Sequence, residues 1–194
     1  MSDIHIRRIR TVLKKEFDGL IDLSDVENRA AQQQEQNFLT RSQAALTIRH
    51  IAALTNEAAA DTIVDSFDDN GIDAIYFDED IREVYIVQSK WTEAGNKSPD
   101  LGSMEKFIAG FKDILAGRLE RFNEKMLAKK DAIERALDSY DVSFVLIIAY
   151  TSNQALSEHV ERRLNDLLEE LNNPEGRTNS CSSERRTGAM TLCE

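Results

Sequence analysis

Cysteine, proline and histidine are scarce in this chain of 194 residues, at two, two and three, and each scarcity excludes something. Cys181 and Cys193 both lie near the C-terminus, so there is no disulfide framework and no ligand spacing for a structural zinc. A reducing, cytoplasmic setting is expected. His5, His50 and His159 are scattered, with no partner at the spacing of a metal-ligand pair or a catalytic triad. No apolar run approaches the ~18 residues of a membrane span, and the opening MSDIHIRRIRTVLKKEF has no unbroken apolar stretch, so no membrane partner is expected. Positive charge is short too. Lys and Arg total 24 against 35 Asp and Glu, a formal charge of −11, which argues against coating nucleic acid by bulk electrostatics and confines any such contact to a local patch. P-loop, G-x-S-x-G and dinucleotide fingerprints are missing, which removes the common ATPase, hydrolase and dehydrogenase readings.

What is present suffices for one domain, since 41% of the residues are apolar. Ile6, Ile9, Val12, Leu13 and Phe17 recur at helical spacing between basic residues and predict an amphipathic helix. A second helical run from about Val26 to Leu54 carries Phe38, Ala45, Leu46, Ile48 and Ile51, with a break expected near Thr40. Thr55 or Asn56 can cap a short helix through Ala60, and the β-branched Ile63 and Val64 suggest a short strand. DDNGIDAIYFDEDIREVYIVQSKW reads as turn, strand, acidic turn, strand: a hairpin from Gly71 to Trp91. From Met104 to about Asp138, Phe107, Ile108, Phe111, Ile114, Leu115 and Phe122 predict one long helix, which Gly110 and Gly117 either weaken slightly or allow to pack closely. SFVLIIAYTS is a continuous apolar run of strand length and should lie inside the sheet. A last helix spans Leu156 to Leu171, capped by Ser152 or Asn153, and the chain from Pro174 onward loses its apolar periodicity and is expected to be disordered. The order describes an α/β fold, a three-layer domain around a mixed sheet, organised as an N-terminal helix (1–24), a core domain (25–173) and a tail (174–194).

The chemistry concentrates in the hairpin. Side chains alternate along a strand, so Gln88 and Lys90 share one face with Val84 and Ile86, while Ser89 and Trp91 point the other way. A turn centred on Asp80 and Ile81 places Asp73 directly opposite Gln88, with Cβ atoms ~5 Å apart. A carboxylate, an amide oxygen and an ammonium group then converge. That set suits metal-assisted phosphodiester hydrolysis: Asp73, Gln88 and the Ser89 carbonyl can hold Mg²⁺, or Mn²⁺, and Lys90 can orient the attacking water and stabilise charge on the phosphorane. Gly71 lets the backbone turn tightly or approach a ligand closely just before Asp73, or simply begins the strand.

N-G-I-D-A-I-Y followed by V-Q-S-K-W resembles the PD-(D/E)xK nuclease superfamily in its Q-x-K form, and most of all the N-terminal region of abortive-infection phage-resistance (AIPR) proteins. The likeness covers about Phe38 to Leu171 in element order and Asp69 to Trp91 in specific motif. It implies a restriction-endonuclease-like fold and Mg²⁺-dependent cleavage of DNA in phage defence. Carried over residue by residue, it implies Asp73, Gln88 and Lys90 as the site. A homodimer is open, since cutting both strands would favour two copies. Such proteins are usually longer, which implies further domains beyond this module. Glutamine stands where many members have glutamate, and Glu35 and Glu57 are both open as the superfamily's helix glutamate.

Two other classes stay open: a catalytically silent nucleic-acid-binding module of the same fold, and a protein-interaction module built on the amphipathic helices. Asp65, Asp68 and Asp69 are read as a solvated acidic turn, although they could add a metal ligand. Arg118, Arg121, Lys125 and Lys129 recur at steps of three and four, and the expectation is a solvated stripe on the long helix.

Overall fold

A computed structural model describes residues 3–172 and 187–192. The chain folds as α1 (Asp3–Phe17), α2 (Ala31–Ala52), α3 (Asn56–Ala60), β1 (Ala74–Asp78), β2 (Glu83–Lys90), α4 (Leu101–Leu115), α5 (Glu124–Leu127), α6 (Lys130–Asp138), β3 (Ser143–Tyr150), α7 (Glu158–Asn172) and β4 (Thr187–Leu192), with single 3-10 turns at Ser24–Val26 and Leu119–Arg121. It is an α/β structure with a small mixed sheet in the order β1-β2-β3-β4. β1 and β2 are antiparallel, and β3 runs parallel to β2 after the helical crossover.

Helices flank the sheet on both faces, an arrangement compatible with three layers. The strand alternation sorts the core into two parts. Ile75, Val84, Ile86, Phe144, Leu146 and Ile148 face a cluster supplied by α4, α6 and α7, including Phe107, Phe111, Ile133 and Leu167. Ala74, Tyr85, Val87, Trp91, Ile147 and Ala149 face a second cluster with Leu13 and Phe17 of α1 and Leu39, Ala45 and Ile48 of α2. Trp91 is therefore core, on the face opposite Gln88, as its parity predicts. β3 lies inside the sheet with both faces covered, which is why its sequence is an unbroken apolar run.

Several boundaries differ from the expectation. α2 runs straight through Thr40, whose hydroxyl donates to the Gln36 carbonyl within the helix. The long helix expected from Met104 to Asp138 is interrupted: α4 stops at Leu115 because Gly117 adopts φ +69°, and Asn123 restarts helix by capping α5, accepting from the Met126 N–H at 2.9 Å. Its basic stripe is divided accordingly and ion-paired, Arg118 and Arg121 to Asp113, Lys125 to Asp22 and Lys129 to Asp61. α7 begins at Glu158, with Ser157 Oγ accepting from the Val160 N–H, because Ser152 Oγ is used in a turn with the Gln154 N–H. The expected short strand at Ile63 reduces to one antiparallel bridge with Ala74. In the tail expected to be disordered, 187–192 form β4, pairing in parallel with β3, whose edge away from β2 offers free backbone groups. Residues 173–186 and 193–194, including both cysteines, lie outside the described residues. Among the described residues, no helix is long and apolar enough to cross a membrane.

Candidate functional site

The hairpin has the predicted register. Ala74 pairs with Val87 and Asp78 with Glu83, closing on a turn in which Asp78 Oδ1 accepts from the Asp80 N–H. Extending this register by one residue sets Asp73 against Gln88. At that point the ladder changes character: the Asp73 N–H donates to the Val87 carbonyl at 2.9 Å, and Asp73 Oδ2, not a carbonyl, accepts the Ser89 N–H. The Asp73 carbonyl in turn accepts from the N–H groups of Val64 and Asp65. Asp73 is thus fixed on both sides, and its side chain is 8% exposed.

The turn leading into Asp73 is shaped by two glycines. Gly71 has φ +78°, and a Cβ there would stand 2.8 Å from the Phe107 nitrogen. A Cβ on Gly110 would stand 2.4 Å from the Asn70 carbonyl oxygen. Both glycines let α4 press against the 69–71 turn, so the close approach Gly71 makes is to a helix backbone. Asp69 closes the turn by accepting the Gly71 N–H at 2.7 Å.

This folding gathers carboxylates that the sequence reading treated as solvated. Ligand atoms of Asp65, Asp69 and Asp73 all lie within 4.8 Å of one another. Arg41 of α2, 1% exposed, binds Asp65 Oδ2 through Nε at 2.9 Å and grips both oxygens of Asp25 at 2.7 Å. Lys106 of α4 binds Asp69 Oδ1 at 2.7 Å. Asp73 has no ion pair among the described residues, and burial, followed by the charge of Asp65, pushes its carboxyl well above the usual carboxylate range. Burial also raises Asp65, against the opposing pull of Arg41.

Gln88 is 9% exposed; its Nε2 donates to the Ser103 carbonyl at 3.2 Å, while its Oε1 is buried with no hydrogen-bond partner among the described residues. A buried amide oxygen without a donor is costly, and a cation would satisfy it. Lys90 ends β2 exposed to solvent, at a cleft it shares with Asp100 and Lys97. The lysine whose charge bears on Asp73 is Lys106. Neither glutamate left open for the helix position joins the three aspartates: Glu35 pairs with Arg10 and Lys14, and Glu57 is exposed on α3. α2 contributes Arg41 instead. Sequence reasoning missed Arg41 and Lys106, and it favoured a solvated turn over a metal ligand for Asp65 and Asp69. One signal was available, an arginine at position 41 inside the apolar spacing of Phe38, Ala45 and Ile48.

Comparison with protein-family models, with curated proteins and with solved structures finds no match for the chain.

Proposed function

We propose that the chain is a Mg²⁺-dependent DNA endonuclease module of restriction-endonuclease-like fold, acting in phage defence. The reading rests on two groups that the hairpin register, extended by one residue, sets across from each other: Asp73, buried and without an ion pair among the described residues, and Gln88, whose buried Oε1 has no hydrogen-bond partner among them. These donors suit a hard cation, for which oxygen ligands are preferred. Asp73, Gln88 and the Ser89 carbonyl would hold Mg²⁺, with Asp69 and Asp65 beside them. Bound there, the metal would supply Lewis-acid stabilisation and a more acidic water.

The protein's own groups do the rest. The Ser89 N–H fixes the Asp73 carboxylate, and Ser103 fixes the Gln88 amide, so neither has to be ordered on binding. The exposed ammonium of Lys90 is free to meet a phosphate oxygen and the attacking water, and to offset negative charge growing on phosphorus.

A silent nucleic-acid-binding module is the second reading. It is favoured by the ion pairs of Arg41 and Lys106, which neutralise two of the three aspartates without a metal. A plasmid-nicking assay in Mg²⁺, Mn²⁺ or EDTA, run with Asp73→Ala and Lys90→Ala, separates the two. Metal-dependent nicking lost in both folded variants supports the nuclease. No nicking, together with no Mg²⁺ heat in calorimetry, supports the silent module.

A further inference from the structure

We propose that the cleft between the segment after β2 and the segment before α7 holds the phosphate backbone of a nucleic-acid strand, with Lys97 as a strand-positioning residue. This rests on the nuclease reading for the substrate and adds a subsite to it. The cleft, of about 600 Å³, is lined by Lys90, Asn96, Lys97, Ser98, Gln154 and Ser157. Ammonium, amide and hydroxyl groups on two facing segments form a donor set matched to phosphate oxygens.

Charge makes the cleft distinctive. The chain carries −11, and three cations of the neighbouring helices are committed, Lys106 to Asp69, Lys112 to Glu170 and Arg163 to Glu105. Lys90 and Lys97 both line this one cleft, and neither forms a salt bridge among the described residues; the Asp100 carboxyl, held low first by the Ser103 N–H, also feels the Lys90 charge. A local positive patch on an acidic protein is where an acidic polymer can approach. Asp100 is the carboxylate in the lining, and both its oxygens are engaged in capping α4, Oδ1 by the Ser103 N–H at 2.9 Å and Oδ2 by Ser103 Oγ at 3.0 Å.

The two walls are also tied together. The Thr92 N–H donates to Thr151 Oγ1 at 2.7 Å, Thr151 Oγ1 donates to the Thr92 carbonyl at 3.1 Å, and the Asn153 N–H reaches the Gly95 carbonyl at 3.4 Å. The two segments that carry the donors are therefore held together before a ligand arrives. Because Lys90 both ends β2 one residue pair beyond Gln88 and lines the cleft, a strand lying there would run past the Asp73–Gln88 site.

The test is fluorescence anisotropy of the full chain with a labelled DNA duplex over a salt series, with Ca²⁺ replacing Mg²⁺, and with inorganic phosphate as a competitor. Lys97 is exposed, so Lys97→Ala will fold. It is expected to weaken binding several-fold and to reduce the slope of log affinity against log salt by about 0.9, one phosphate contact. Lys97→Arg should restore the slope, and Lys112→Ala, which removes a committed lysine, should leave it unchanged. Cleavage with an unchanged Lys97→Ala slope overturns the subsite and leaves the nuclease standing. Binding that depends on Lys97 without any cleavage keeps the subsite and overturns the nuclease. Competition by millimolar phosphate as strong as that by unlabelled duplex overturns the strand in favour of a free-phosphate site, and no binding at all overturns both.

Discussion

Asp73 and Ser89 are joined through a side chain where strand pairing ordinarily uses a carbonyl: Asp73 Oδ2 accepts the Ser89 N–H on the neighbouring strand. The bond needs an acceptor oxygen but not a charge. Asp73→Asn keeps an oxygen, removes the repulsion from Asp65, and is expected to be as stable as the wild type or more so in EDTA. Asp73→Ala leaves the Ser89 N–H buried and unpaired and should lose about 1–3 kcal/mol. Urea unfolding of the two variants measures the contrast. Equal destabilisation by both would mean that the charge itself matters.

The raised carboxyl of Asp73 fixes the sign of a pH dependence. Its folded pKa lies above the ordinary unfolded value of about 3.9, so between the two the native state binds more protons than the unfolded state, and stability falls as pH rises through that window. Asp65 acts in the same direction. Asp25, held low chiefly by its hydrogen bond from Arg41, acts oppositely, and its contribution is lost only as pH falls below the ordinary carboxylate range. In EDTA, the stability of wild type relative to Asp73→Asn should therefore decline as pH is raised above about 4. With Mg²⁺ the decline should shrink, because a cation favours the ionised carboxylate. Unfolding free energies across pH, with and without metal, test both statements.

The hairpin, its register and the faces of Gln88 and Trp91 were legible in the sequence because they depend on local alternation and one turn. The buried strand β3 was legible for the same kind of reason, an apolar run of strand length. The acidic cluster was not. Asp65 and Asp69 reach Asp73 through a bridge at Ile63, a left-handed turn at Gly71 and the pressure of α4 on that turn. These are tertiary facts with no periodicity to announce them. The break after α4 turned on Gly117, which the apolar pattern alone overrode.

Arg41 is 1% exposed and links Asp25 on one side with Asp65 of the cluster on the other. Removing one member of a buried pair strands the others. Arg41→Ala is expected to cost about 3–5 kcal/mol, read by urea denaturation. Pairing Arg41→Met with Asp65→Asn should recover the part of that loss that comes from stranding Asp65, while Asp25 still lacks its guanidinium. Failure to recover would show that the guanidinium acts through Asp25 and the Asp22 carbonyl, which it also binds.

Gly110 sits inside α4, where alanine would ordinarily favour the helix by about 1 kcal/mol. Here a Cβ would stand 2.4 Å from the Asn70 carbonyl oxygen, a backbone atom that cannot rotate aside. Gly110→Ala must therefore push α4 away from the 69–71 turn, and the sign reverses to a loss of about 1–3 kcal/mol. The displaced turn carries Asp69 and leads directly into Asp73, so Mg²⁺ affinity in calorimetry should fall although no candidate ligand has been changed. Gly102→Ala, in the first turn of the same helix, meets only Asp100 Oδ1 at 3.2 Å and should lose less stability and no metal affinity. If the two variants prove alike in both measurements, the contact between α4 and the turn does not set the geometry of the site.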